Sequence, residues 1–167
     1  MNTWNTMIKY KEEQKFRQWW FWLIITIIGM IPIYGVYKQL ILGEKFGNNP
    51  MSDFGLIIFS IMMFVLIVLF LTIKLTTSID ENGISMRFAP FVTKRIQFSE
   101  IRKAEVVNYG FVGGWGIRFG TQYGTTYNIS GNKGLAIELI NGKKILIGTQ
   151  KESELRRIIK TAEADLQ

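Results

Sequence analysis

The sequence predicts an α-helical transmembrane hairpin followed by a mainly-β domain that ends in one amphipathic helix. Three observations carry this. Two uncharged apolar stretches, Trp19 to Tyr37 and Phe54 to Ile73, are each long enough to cross a bilayer, because about 20 residues at roughly 1.5 Å each cover about 30 Å of hydrocarbon. From Leu75 the apolar residues change from continuous to alternating, with turn residues at short intervals, which is the period of antiparallel sheet. After Thr149, Leu155, Ile158, Ile159, Ala162 and Leu166 recur at helical spacing.

Composition narrows the chemistry. None of the 167 residues is Cys or His, so disulfides, thiolate metal sites, cysteine nucleophiles, imidazole bases and ordinary zinc sites are all excluded. The carboxylates after the second stretch stand singly except for Asp80-Glu81, and their spacing assembles neither a glycosidase pair nor an oxygen-ligand metal cluster. The expectation is a non-enzymatic protein with no catalytic residue, cofactor or metal.

Residues 1–18 read as a cytoplasmic juxtamembrane segment, with Trp4, Met7 and Ile8 on one face of a short helix that Lys11 interrupts. The span 19–37 is too long for a signal-peptide core and is followed by no Ala-x-Ala-like site, so it reads as a retained anchor. Trp19, Trp20 and Trp22 cluster at one end of it and Tyr34 and Tyr37 at the other, the depths that amphipathic rings favour. Pro32 inside it predicts a kink. Residues 38–53 form an extracytoplasmic loop, and Ser52 or Asp53 caps the second span, 54–73. Gly29, Gly35, Gly55 and Ser60 offer small surfaces for helix contact, within the hairpin or toward a larger complex.

Charge sets the orientation. The net +7 divides into +2 before the first span, zero in the loop and +5 from Lys74 onward. This bias places both termini in the cytoplasm of a multi-pass inner (plasma) membrane protein. It also attracts the β domain to an anionic leaflet, at about 1 kcal/mol per nearby cation, although the same charge serves as a topology signal. The cations most suited to surface contact are the pairs Lys94-Arg95, Arg102-Lys103 and Lys143-Lys144. No basic run exceeds a pair, so nucleic acid is not an expected partner.

Alternation marks the strands. Ile84, Met86 and Phe88 form one face, as do Ile96 with Phe98, Trp115 with Ile117 and Phe119, and Leu135 with Ile137 and Leu139. Asn82-Gly83 and Pro90 mark early turns, and Asn141-Gly142 predicts a two-residue hairpin. Thr149-Gln150-Lys151-Glu152 has the Thr-x-x-Glu pattern of a capping box opening the final helix. Residues 74–167 therefore read as about seven antiparallel strands in a small barrel, closed by the helix.

This order, together with Asp80-Glu81-Asn82-Gly83-Ile84, Gly114-Trp115-Gly116-Ile117-Arg118-Phe119, the stretch Tyr127 to Gly134 and Ile147-Gly148-Thr149-Gln150, resembles bacterial membrane proteins with two N-terminal transmembrane helices and a C-terminal pleckstrin-homology-like domain. The resemblance implies a cytoplasmic binding domain at 74–167 and carries over no catalytic residue. One departure is specific. Phosphoinositide-binding pleckstrin-homology domains present Lys and Arg at the first hairpin, whereas this chain presents Asp80 and Glu81, which repel phosphate.

Other local patterns weigh less. Gly110, Gly113, Gly114 and Gly116 lack the Gly-Lys-Ser/Thr ending and following helix of a phosphate loop, and read as a bend between strands. Within that bend Phe111 and Trp115 are candidates for headgroup or partner contact, although Trp115 reads first as a core residue. Ser130-Gly131-Asn132-Lys133 matches a Ser-x-x-Lys acyl-enzyme pattern without its companion elements. Asn128-Ile129-Ser130 is a glycosylation acceptor only outside the cytoplasm. The leading expectation is a scaffold that recruits a protein partner at the cytoplasmic face; the alternatives are an accessory subunit of a transporter or envelope-stress complex, and an enzyme of unrecognised chemistry.

Overall fold

The computed structural model describes residues 9–164. It divides into two compact units, residues 16–73 and a β domain of residues 9–15 and 74–164.

In the first unit α1 (Trp19–Val36) continues as a π-helical turn, Tyr37–Ile41, and α2 spans Asp53–Thr72. The first span thus runs four residues beyond the boundary the sequence suggests, because the apolar Leu40 and Ile41 stay helical past Lys38. Only 6 % of the most apolar window of α2 is buried. Side chains such as Phe54, Phe64 and Leu71 face outward, which a helix in the core of a water-soluble protein would not do. Both helices are long and apolar enough to cross a membrane.

Local chemistry explains their ends. Ser52 Oγ accepts the Gly55 N–H at 3.2 Å, as the cap pattern predicts. Gln39 Nε2 donates to Asp53 Oδ1 at 2.6 Å and to the Met51 carbonyl at 2.8 Å, joining the two helices across the loop. At the other end Phe16 stacks on Phe21 and both meet Phe70 edge-on, with centroids 5.2 to 5.9 Å apart. Gly29 and Gly35 are buried, and a Cβ at Gly29 would meet Ile67 Cδ1 at 2.9 Å. Those glycines serve contact inside the hairpin; Gly55 and Ser60 do not, since Gly55 lies against its own cap and Ser60 bonds the Leu56 carbonyl.

Among the described residues the β domain holds nine strands in two sheets, eight of them from Lys74 onward, where the sequence suggests about seven. The first sheet has the order β1-β2-β3-β4, formed by Tyr10–Lys15, Lys74–Asp80, Gly83–Ala89 and Val92–Gln97. The second has the order β5-β8-β9-β7-β6, from Ile101–Asn108, Gly116–Thr121, Gly124–Asn128, Lys133–Leu139 and Lys144–Thr149. Two differences from expectation matter. Residues 10–15 are a strand rather than a juxtamembrane helix, while Trp4, Met7 and Ile8 lie outside the described residues. One pairing, β7 with β9, is parallel, with Thr125, Thr126 and Tyr127 opposite Ile145, Leu146 and Ile147.

The core lies between the sheets. Leu75, Ile79, Ile84, Met86 and Phe88 line the inner face of the first sheet, and the Phe88 ring lies 6.4 Å from Tyr127 of the second. Five consecutive residues of β9, Ile145 to Thr149, are buried, as expected of a central strand covered on both faces. Helix α3 (Glu152–Ala164) packs on β5 and β8 and buries Leu155 and Ile159. Its Arg156 Nη2 donates to the Val106 carbonyl at 3.0 Å, satisfying a backbone acceptor on edge strand β5.

Two turns show how side chains set the register. At the β2–β3 hairpin Asp80 Oδ1 accepts the Asn82 and Gly83 N–H groups at 2.8 and 3.1 Å, and Oδ2 pairs with Arg95 at 3.2 Å. The acidic residues of this loop therefore include a built-in turn stabiliser. At β8–β9 Gly142 N donates to the Leu139 carbonyl and Leu139 N to the Lys143 carbonyl, both at 2.9 Å. Only Gly142 has positive φ (79°). This is a three-residue loop with a type I turn and a glycine bulge, not the two-residue turn predicted, because Asn141 instead uses Oδ1 to accept the Lys143 N–H.

Candidate functional site

The eight candidate contact residues fall in three places. Lys94 and Arg95 are neighbours on β4 and point to opposite faces, since side chains alternate along a strand. Lys94 Nζ lies 5.5 Å from the centre of the Tyr127 ring on the core side, whereas Arg95 pairs with Asp80 on the outer face. Arg102, Lys103, Lys143 and Lys144 gather at the end of the second sheet where Ile101 opposes Leu139 and Lys144 opposes Glu138. This end is mixed in charge. Arg102 pairs with Glu138 at 3.2 Å and Lys103 with Glu105 at 2.8 Å, and the adjoining carboxylate raises the Lys103 pKa above its ordinary value. A cleft of about 240 Å³ lies here, lined in part by Lys103, Glu105, Glu138 and Lys144.

Phe111 and Trp115 occupy the opposite end of β5, in the glycine-rich loop. Gly110, Gly113, Gly114 and Gly116 all have φ between 64° and 111°, which side chains rarely adopt. Glycine is needed there for chain path. The loop and the β7–β8 turn enclose a cleft of about 380 Å³ lined by Tyr109, Phe111, Val112, Trp115, Asn128 and Asn132, among others. Phe111 is 88 % exposed and Trp115 36 %, so Trp115 is not a core residue. The wall carries polar atoms. Asn128, 1 % exposed, donates through Nδ2 to Tyr109 Oη at 3.2 Å, and Tyr109 donates to the Gly131 carbonyl at 3.0 Å. Asn128 Oδ1 is buried and accepts no hydrogen bond among the described residues.

A second polar cluster was not legible in the sequence. Glu12 of β1 is 5 % exposed. Its Oε2 accepts from Tyr10 Oη at 2.5 Å and Thr149 Oγ1 at 2.7 Å, and its Oε1 accepts from the Gln150 N–H at 2.8 Å. Gln14 Nε2 donates to the Gly148 carbonyl at 2.7 Å. Strand β1 is thus fastened to the turn between β9 and α3. The capping box predicted over Thr149–Glu152 is replaced by this arrangement: Thr149 accepts the Lys151 N–H, the first helical bond runs from Leu155 N to the Lys151 carbonyl, and Glu152 pairs with Arg156 at 2.9 Å. Ser130 and Lys133 also go to separate partners, Gln150 and Glu152.

The buried phenols predict alkaline sensitivity. Burial raises the Tyr10 pKa strongly, the hydrogen bond to Glu12 adding to it; burial also raises that of Tyr109, against the opposing hydrogen bond from Asn128. Above about pH 10 the unfolded chain then binds fewer protons than the folded one, so stability falls as pH rises. Denaturant midpoints of the detergent-solubilised chain should drop between about pH 8 and about pH 11, and Tyr10→Phe should flatten that drop. An unchanged slope in Tyr10→Phe would assign it to other groups.

Comparison with family models, curated proteins and solved structures gives no match for this chain.

Proposed function

We propose that this chain is a non-enzymatic integral membrane protein of bacterial type, whose pleckstrin-homology-like β domain recruits a protein partner at the cytoplasmic membrane surface. The observation that carries this reading is the cleft at the glycine-rich loop. An exposed Phe111 and a partly exposed Trp115 flank a buried Asn128 acceptor that accepts no hydrogen bond among the described residues. Rigid aromatic rings beside a directional polar group are the usual elements of a binding hot spot. Two helices of membrane-spanning length and composition support the location, and the excess of cations before Trp19 and after Ile73 supports cytoplasmic termini.

The accessory-subunit reading places partner capture in the spans instead. Of the four small residues on which it drew, Gly29 and Gly35 are consumed by packing within residues 16–73, whereas Gly55 and Ser60 are not. A mild-detergent pull-down from native membranes of the chain tagged after Gln167, against a hairpin-only control, tests both. A partner should be retained by the full chain and lost from the hairpin, and Phe111→Ser with Trp115→Ser should reduce its retention by roughly tenfold or more. Retention by the hairpin alone would overturn the recruitment reading.

A further inference from the structure

The register of the first sheet places several residues at one end of it. Lys15 opposes Lys74, and Lys74 opposes Ala89, the last residue before the β3–β4 turn. That turn is tight, with the Phe91 N–H donating to the Phe88 carbonyl at 2.9 Å. Phe91, the last of the four turn residues, is 54 % exposed and carries an apolar ring. On the outer face next to this end stands Arg87, exposed and without an ion pair among the described residues. Glu13 lies opposite Thr76, which opposes Arg87, and pairs with Lys15 at 3.1 Å and Lys74 at 3.3 Å. The end therefore carries three cations against one carboxylate.

Chain length bounds where this end can be. Three residues link Lys15 to Trp19, the first residue of α1, and only Ile73 links Thr72, the last of α2, to Lys74. Those links reach at most about 14 Å and 7 Å when fully extended. The β2–β3 turn at Asn82 lies at the other end of the same strands, about 20 Å away at the rise of a β-strand. Two short tethers joining adjacent strand ends keep one end of the sheet at headgroup depth. Cations around an exposed aromatic ring match an anionic lipid surface, which takes the charge at its phosphates and the ring below them.

We infer that the sheet end formed by Lys15, Lys74, Arg87 and Phe91 is a lipid-contacting surface, with Phe91 seated in the headgroup layer of an anionic leaflet. This rests on the reading of α1 and α2 as membrane spans. It includes none of the six basic-pair residues and no residue of the glycine-rich loop. The surface would fix the rotation of the β domain.

The absence of cysteine permits a direct test. Single variants Phe91→Cys, Thr93→Cys, Asn82→Cys and Ile61→Cys of the full chain, each carrying a nitroxide, are placed in nanodiscs of phosphatidylcholine and phosphatidylglycerol. Collision rates with oxygen and with a water-soluble nickel chelate are then measured. Ile61, near the middle of α2, reports whether the helix lies in lipid. The expected oxygen-to-nickel ratio is high at 61, intermediate at 91, lower at 93 and lowest at 82, and the value at 91 falls when Lys74→Glu and Arg87→Glu are added. A lipid-exposed 61 with a ratio at 91 equal to that at 82 would overturn the inference and leave the spans standing. An aqueous 61 would overturn the membrane reading and this surface with it.

Discussion

Replacing Glu12 with Ala is expected to lower the stability of the β domain by about 3–5 kcal/mol, because it removes one buried acceptor from three donors at once. Tyr10 Oη, Thr149 Oγ1 and the Gln150 N–H would each lose a partner that water reaches poorly at a site only 5 % exposed. The effect should be local before it is global. Hydrogen exchange of the full chain in detergent should quicken first in residues 10–15 and at Gln150 and Lys151, where β1 and the turn into α3 depend on the same carboxylate. Glu12→Gln retains an acceptor oxygen but turns an amide N–H₂ toward donors, so it should recover only part of the loss. Uniform quickening across β8 and β9, with β1 no faster than the rest, would show that β1 is not held by Glu12.

The second large effect is expected at Gly124, the first residue of β7. Its φ is +72°, and a Cβ there would lie 2.2 Å from the Lys144 carbonyl oxygen. Main chain cannot yield as a side-chain tip does, so Gly124→Ala must push β7 away from β9 and break the parallel register at Thr125 and Ile145. The expected cost is about 3–4 kcal/mol, combining left-handed strain of about 1–2 kcal/mol with the displaced ladder. Gly120→Ala supplies the comparison. It has φ +69° but no atom within 4 Å of the added Cβ, so it should show the strain alone, about 1–2 kcal/mol. Equal thermal shifts for the two variants would mean that the approach of β7 to β9 is not needed for the fold.

The parts of this architecture that the sequence announces are those whose signal is local and apolar. Continuous hydrophobic runs define the spans to within a few residues, and Leu155 and Ile159 take the core side of α3 as their spacing requires. What stays hidden has a different physical basis. Strand β1 reads Tyr-Lys-Glu-Glu-Gln-Lys, and its inward face is Tyr10, Glu12 and Gln14. Alternation is present, but the buried set is polar and bonded to residues more than 130 positions away, so no hydrophobic period marks it. The β7–β9 pairing is parallel and skips over β8, which no neighbouring residues encode. Thr149 illustrates competition: its hydroxyl could serve a capping box, but it donates to the distant Glu12 carboxylate and its oxygen accepts from the Lys151 N–H instead.

The candidate contacts failed to converge for a related reason. Adjacent cations on a helix or in a loop can share a surface, whereas adjacent cations on a strand are sent to opposite sides. Lys94 and Arg95 show this directly, one over the Tyr127 ring and the other beside Asp80. Phe111 and Trp115 escaped that fate because they lie in a loop whose glycines, not a pleat, determine direction.

Strands β1 and β2 are sheet neighbours, yet residues 16–73 come between them in the chain. During synthesis the ribosome delivers β1 first, then the 58 residues of the helical unit, and only afterwards the strand that β1 pairs with. Tyr10 and Glu12 must wait longer still, until Thr149 and Gln150 emerge. Completion of the β domain is thereby deferred until both apolar helices have been synthesised, so its first strand waits for the rest of its own sheet.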